Sequence, residues 1–102
     1  IKSHYAPRTK LELVSAEALH ARFAEMGAAP VAVMASSEVL DRLEGTPVLA
    51  IKAPADLHGY GRDLYENLHR LDRAGAERIL VELPHQSPDW AAVNDRLGRA
   101  AA

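Results

Sequence analysis

Three short, almost unbroken apolar runs constrain this chain more than any other feature. They are Pro30-Val31-Ala32-Val33-Met34-Ala35, Pro47-Val48-Leu49-Ala50-Ile51 and Arg78-Ile79-Leu80-Val81-Glu82-Leu83. A strand with one wet face alternates apolar and polar residues. Runs without that alternation suit strands of a parallel sheet covered on both sides. A fourth candidate strand, Lys10-Leu11-Glu12-Leu13-Val14, does alternate. Helical patterns fill the intervals. Ser15 stands as N-cap to a helix over 16–26 whose stripe is Leu19, Phe23 and Met26, with Gly27 at its end. A shorter helix over 37–43 carries Val39, Leu40 and Leu43, and one over 60–74 aligns Tyr60, Leu64, Leu68 and Leu71 before Gly75. The last opens on Ser87 as N-cap with Pro88 in the first turn, and aligns Trp90, Val93, Leu97 and Ala101. The order βαβαβαβα predicts an α/β sandwich with a mainly parallel sheet of about four strands. Strand order stays open.

Composition narrows the function classes. In 102 residues there are 12 Lys+Arg and 14 Asp+Glu, so the formal charge is 12 − 14 = −2. That balance lacks the basic footprint of direct nucleic-acid binding. With no Cys, a disulfide scaffold, a thiolate metal site and a cysteine nucleophile are excluded. No apolar run approaches the roughly 20 residues of a membrane span. The chain starts at Ile1 without a signal-peptide pattern, and is expected to be a piece of something longer.

In an open parallel sheet, ligands sit beyond the carboxyl ends of the strands. Segments arriving there are Ser15, Ser36-Ser37, Lys52–Gly59 and His85–Asp89. Ser36 and Ser37 suit a helix cap, or a phosphate at a helix N-terminus. No Gly-x-Ser-x-Gly elbow surrounds them, which argues against a hydrolase nucleophile. Gly59-Tyr60-Gly61 resembles the start of a dinucleotide fingerprint, but the third glycine would fall at Leu64, and a long loop separates the pair from its strand. The bland reading is a flexible helix entry. Among the five histidines, His58 and His85 could converge with Asp56 above the sheet, without metal-ligand spacing. Arg70, Arg73, Arg96 and Arg99 read as solvated helix faces.

Three stretches carry a family resemblance. Ser3-His4-Tyr5-Ala6-Pro7-Arg8, running into Leu11-Glu12-Leu13-Val14, resembles the junction between linker and second domain in the long form of threonylcarbamoyl-AMP synthase, the two-domain YrdC-like family. Residues 60–72, beginning Tyr60-Gly61-Arg62-Asp63-Leu64-Tyr65, are similar to the family helix that opens Tyr-Ala-x-x-Leu-Phe and ends Leu-Arg-x-Leu-Asp. Residues 90–101, with Ala92-Val93-Asn94-Asp95-Arg96-Leu97, resemble its terminal helix. The three occur in the family's order and span nearly the whole chain.

The resemblance implies a parent nucleotidyltransferase that joins L-threonine, bicarbonate and ATP, with a divalent cation, into threonylcarbamoyl-AMP and pyrophosphate. That product feeds threonylcarbamoyladenosine formation in tRNA; the lack of Cys and of a signal pattern fits the cytoplasm. Family chemistry resides in a preceding YrdC-like catalytic domain, the implied partner. This fragment is then expected to be non-catalytic on its own and to bind no cofactor or metal. Residues 1–9 would be the end of the interdomain linker, a lid segment, and 10–102 a Rossmann-like C-terminal accessory domain. Tyr5 becomes the candidate substrate-facing lid residue with His4 beside it, and Pro7 stiffens the exit. Residues 1–8 are expected to be loosely held without their docking surface. Tyr60 and Arg62 are candidate domain-contact residues, although Tyr60 is equally the first core position of its helix. Two alternatives remain: a small-molecule or nucleotide-sensing Rossmann-like domain, and a stand-alone flavodoxin-like module.

Overall fold

A computed structural model gives the architecture and describes residues 5–102. The elements run β1 (Leu11–Val14), α1 (Ala16–Glu25), β2 (Val31–Ala35), α2 (Ser37–Asp41), β3 (Leu49–Lys52), α3 (Leu57–Asp72) and β4 (Arg78–Glu82). A 3-10 turn (Pro88–Trp90) then leads into α4 (Ala91–Ala100). The sheet is parallel throughout, in the order β1-β4-β2-β3. The last strand is therefore inserted between the first two. The fold is a Rossmann-like three-layer α/β sandwich.

Strand parity divides the core. On one face Ala32, Met34, Ile51, Ile79 and Val81 meet Tyr60, Leu64, Leu68 and Leu71 of α3 and Val93 and Leu97 of α4. On the other, Val31, Val33, Ala35 and Leu80 meet Leu19 of α1 and Val39 of α2. Successive side chains of a strand point to opposite faces, so a strand covered on both must be apolar at every position. Every residue of β2 is buried, as are Ile79, Leu80 and Val81 of β4. The run at 47–51 departs from the expectation of a doubly covered strand. β3 lies at the sheet edge, Ala50 is exposed, and Val48 just before it is 50% exposed.

Helix boundaries follow their caps. Ser15 Oγ accepts from Ala18 N–H and Ser36 Oγ from Val39 N–H. α3 begins three residues earlier than the apolar stripe predicts, because Asp56 caps it by accepting from Gly59 N–H at 2.9 Å. Gly59 and Gly61 are thus helical, which rules out the dinucleotide-type turn. A Cβ on Gly59 would stand 3.0 Å from Asp56 Oδ1, so a side chain there would crowd the cap. Ser87 does not cap through its side chain; its hydroxyl donates to Asp89 Oδ1 instead. No described helix is long and apolar enough to cross a membrane.

Glu12 is the polar exception on β1. Parity turns it toward α1, where Arg22 grips it with Nε and Nη2, both at 2.7 Å, while Arg78 of β4 reaches it from the neighbouring strand. Hydrogen bonds from Arg22, against the opposing effect of burial and with help from Arg78, pull the Glu12 carboxyl down to about 2. Its ordinary value is near 4.3. A carboxyl lowered on folding adds stability above its unfolded pKa and loses it as pH falls toward the folded one. Glu12→Gln is accordingly expected to lower stability by about 1–2 kcal/mol at pH 7. The gap between variant and parent melting temperatures should close between roughly pH 4.3 and pH 2.

Candidate functional site

The carboxyl ends of β2, β3 and β4 open onto a crevice of about 480 Å3. It forms because the chain leaves β2 toward α2 on one face, while the segments after β3 and β4 lead to α3 and α4 on the other. Diverging exits of this kind are where parallel α/β sheets hold ligands. Three of the four segments singled out in the sequence meet here: Ser36-Ser37 after β2, Lys52 to Ala55 after β3, and His85 after β4. Ser15 is at the far edge strand and does not contribute.

Two polar groups form the floor. Glu82, the last residue of β4, accepts from Ser36 N–H at 2.8 Å, tying the exits of β4 and β2 together. Tyr60 stands beside it from the first turns of α3 and is only 3% exposed. Its hydroxyl is buried without a hydrogen-bond partner among the described residues. Burial, and then the negative charge of Glu82, push the Tyr60 phenol above its ordinary value, so the hydroxyl keeps its proton. Of the two readings of Tyr60, this placement is the core position at the start of its helix, with its remaining surface on the crevice. Arg62 is exposed and pairs with adjacent Asp63 at 3.0 Å on the outer side of α3.

The aromatic wall is held by a loop the sequence does not make obvious. Trp90 meets Tyr60 edge-on at 5.5 Å and His85 at 5.3 Å. Asn94 of α4 secures that loop, its Nδ2 donating to the carbonyls of His85 (2.8 Å) and Trp90 (3.1 Å), while Gln86 Nε2 donates to Asn94 Oδ1. Nothing in the local pattern distinguishes Asn94 from any polar residue of a helix face. Its partners exist only once α4 has folded back on the loop. His58 is exposed and lies off the crevice wall, so Asp56, His58 and His85 do not gather. No group of three His, Asp or Glu suited to a metal ion occurs among the described residues.

A second constellation lies at the other end of α3. Asp72, its last residue, takes three hydrogen bonds: Tyr5 Oη (3.0 Å) and Arg8 N–H (3.1 Å) donate to Oδ2, and Thr9 N–H (3.0 Å) to Oδ1. Tyr5 also lies against His69, ring centroids 4.3 Å apart. Burial alone would raise the Asp72 carboxyl, but the Thr9, Arg8 and Tyr5 hydrogen bonds outweigh it and leave it lowered. Tyr5 in turn is raised by burial and by Asp72. A carboxylate at a helix C-terminus faces the negative end of the helix dipole; these donors supply the compensation. The expectation of a loosely held leading segment is thereby corrected for residues 5–8, whose docking surface is α3 of this same domain. His4 lies outside the described residues.

Asn94→Ala removes the two donors that hold the His85–Trp90 loop. It is expected to lower stability by about 1–2 kcal/mol and to red-shift the emission of Trp90 as its wall loosens.

The family model described as threonylcarbamoyl-AMP synthase, C-terminal domain, matches residues 1–102. No curated protein and no solved structure matches the chain.

Proposed function

This chain belongs to the threonylcarbamoyl-AMP synthase C-terminal domain family, and we propose that it serves as the accessory domain that anchors the interdomain linker over a preceding YrdC-like catalytic domain. The observation that carries this reading is the Asp72 clamp. One carboxylate gathers a phenol and two backbone N–H groups from residues 5–9, fixing the direction in which the chain approaches β1. An anchored end shortens the free length of a lid and raises the fraction of time it spends closed. Tyr5 then acts at the hinge, with its ring on His69 and its hydroxyl on Asp72. A substrate-facing role for Tyr5 requires that hydrogen bond to open, with His4 as its proposed neighbour in the lid. Arg62, exposed on the outer face of α3, is the proposed contact for the neighbouring domain.

On this reading the nucleotidyl chemistry, with ATP and its divalent cation, takes place in the preceding domain. The product serves threonylcarbamoyladenosine formation in tRNA, and the compartment is the cytoplasm. The 102-residue chain alone is expected to release no pyrophosphate from ATP in the presence of threonine and bicarbonate; threonine-dependent turnover would overturn the assignment.

The clamp itself has a direct test. Asp72→Ala should free residues 5–9 and speed chymotryptic cleavage after Tyr5 by about 5–30-fold, the factor that corresponds to 1–2 kcal/mol of local stability. In the two-domain enzyme the same substitution is expected to lower kcat several-fold while leaving the melting temperature of the catalytic domain unchanged. Unaltered proteolysis would remove Asp72 as the anchor, and unaltered kinetics would remove the anchor from the mechanism. Asp72 is lowered on folding, so its hold is present above its unfolded pKa and fades as pH drops below about 4.

A further inference from the structure

The crevice floor presents a pair of groups that the fold leaves unfinished. The Tyr60 hydroxyl is a protonated donor on the crevice lining, closed over in the unliganded domain so that a ligand reaches it only as the lining parts, with no acceptor among the described residues. Native proteins rarely leave such a group unpaired, so each instance calls for a ligand, a water or a function. Beside it, one oxygen of Glu82 is taken by Ser36 N–H and the other carries no hydrogen bond among the described residues. One group that completed both would accept from the phenol and donate to the carboxylate. A water does both, and so does a ligand hydroxyl that displaces it. A phosphate or carboxylate accepts only, and would meet the charge of Glu82; an ammonium has no lone pair for the Tyr60 proton.

The rest of the cavity specifies the body that carries the hydroxyl. Above the floor, the walls are largely hydrocarbon and aromatic: Ala53, Pro54, Leu83, Pro84 and Trp90, with the exposed His85 ring packed against Trp90. About 480 Å3 exceeds the needs of a single amino acid and falls within the range of small-molecule sites. Hydroxyls at one end, and a flat, weakly polar ring at the other, describe a nucleoside. We propose that the crevice between the ends of β2, β3 and β4 is a nucleoside site, with Tyr60 and Glu82 gripping the ribose hydroxyls and the base lying along the wall formed by Pro54, Pro84, His85 and Trp90. Lys52, exposed at the mouth, is placed to meet a phosphate when the ligand is a nucleotide.

This site is separate from the linker anchor. Tyr60 and Asp72 are 12 residues apart on α3, roughly 18 Å at the helical rise, so each can be removed without touching the other.

Trp90 is the single tryptophan of the chain, and it lines the crevice, so its emission reads occupancy directly. Titration of the 102-residue chain with adenosine should give a saturable change in that emission with a Kd on the order of 0.1 mM, as expected for a ligand of this size. 2′,3′-Dideoxyadenosine should bind at least about tenfold more weakly, since it lacks the hydroxyls. Tyr60→Phe should weaken adenosine to the same degree. Its melting temperature should not fall, because the lost hydroxyl has no partner in the unliganded protein; a purely structural Tyr60 predicts the reverse pattern. AMP binding more tightly than adenosine would show that Lys52 takes part, whereas equal affinity would identify the free nucleoside as the ligand. Three results would each overturn the proposal: no saturable change with adenosine or AMP up to about 10 mM, equal binding of the dideoxy compound, or the same response to inorganic phosphate alone.

Discussion

The pairing of β2 with β4 is the constraint on which the rest of this domain depends. Val31 to Met34 lie in register with Arg78 to Val81, and both strands are covered on both faces. These residues are contributed from sequence positions more than forty apart, so the sheet cannot close until the last strand is in place. Once it is, β4 separates β1 from β2 and lends each a row of hydrogen-bonding groups. Glu12 of β1 is brought to Arg78 by the same insertion, and Glu82 to Ser36. The polar ties that define both the sheet edge and the crevice floor are consequences of where β4 sits.

Helix α3 works as a strut between the two sites. Its inner face, from Tyr60 through Leu64 and Leu68 to Leu71, is buried against the sheet and fixes its direction. Its N-terminal turns deliver the Tyr60 hydroxyl to the crevice, and its last residue delivers Asp72 to the chain preceding β1. An ordered helix transmits position along its length at little cost, because every backbone group in its interior is already paired. The domain can hold the chain that precedes β1 and shape a cavity with one element.

Local chemistry was readable in advance wherever it depended on residues close in sequence. Ser15 and Ser36 cap helices because a side-chain oxygen is within reach of an N–H three residues on. The stripe of α3 and the unbroken runs of β2 and β4 follow from periods of 3.6 and 2. Asp56 is the instructive miss. It caps by the same geometry, yet the helix was expected to begin at its first apolar contact, and Gly59-Tyr60-Gly61 disguised the first turn as a loop. Asn94 is a miss of another kind: its partners are backbone carbonyls of a loop that acquires its shape only against α4. Tyr5 was legible as a notable residue from its His-Tyr-Ala-Pro setting, but its partner was not.

What the sequence by itself determined was the succession of elements, their buried faces, most of their caps and the family to which the pattern belongs. These are properties of neighbours along the chain, where spacing and side-chain type decide the outcome. Tertiary structure alone decided the order β1-β4-β2-β3, the exposure of one face of β3, the unfinished pair of Tyr60 with Glu82, and the docking of Tyr5 on Asp72. Each of those joins groups distant along the chain, or sets how far a strand lies from the centre of its sheet. Many strand orders satisfy the same local pattern, and the choice among them falls to packing and hydrogen-bond satisfaction over the whole domain.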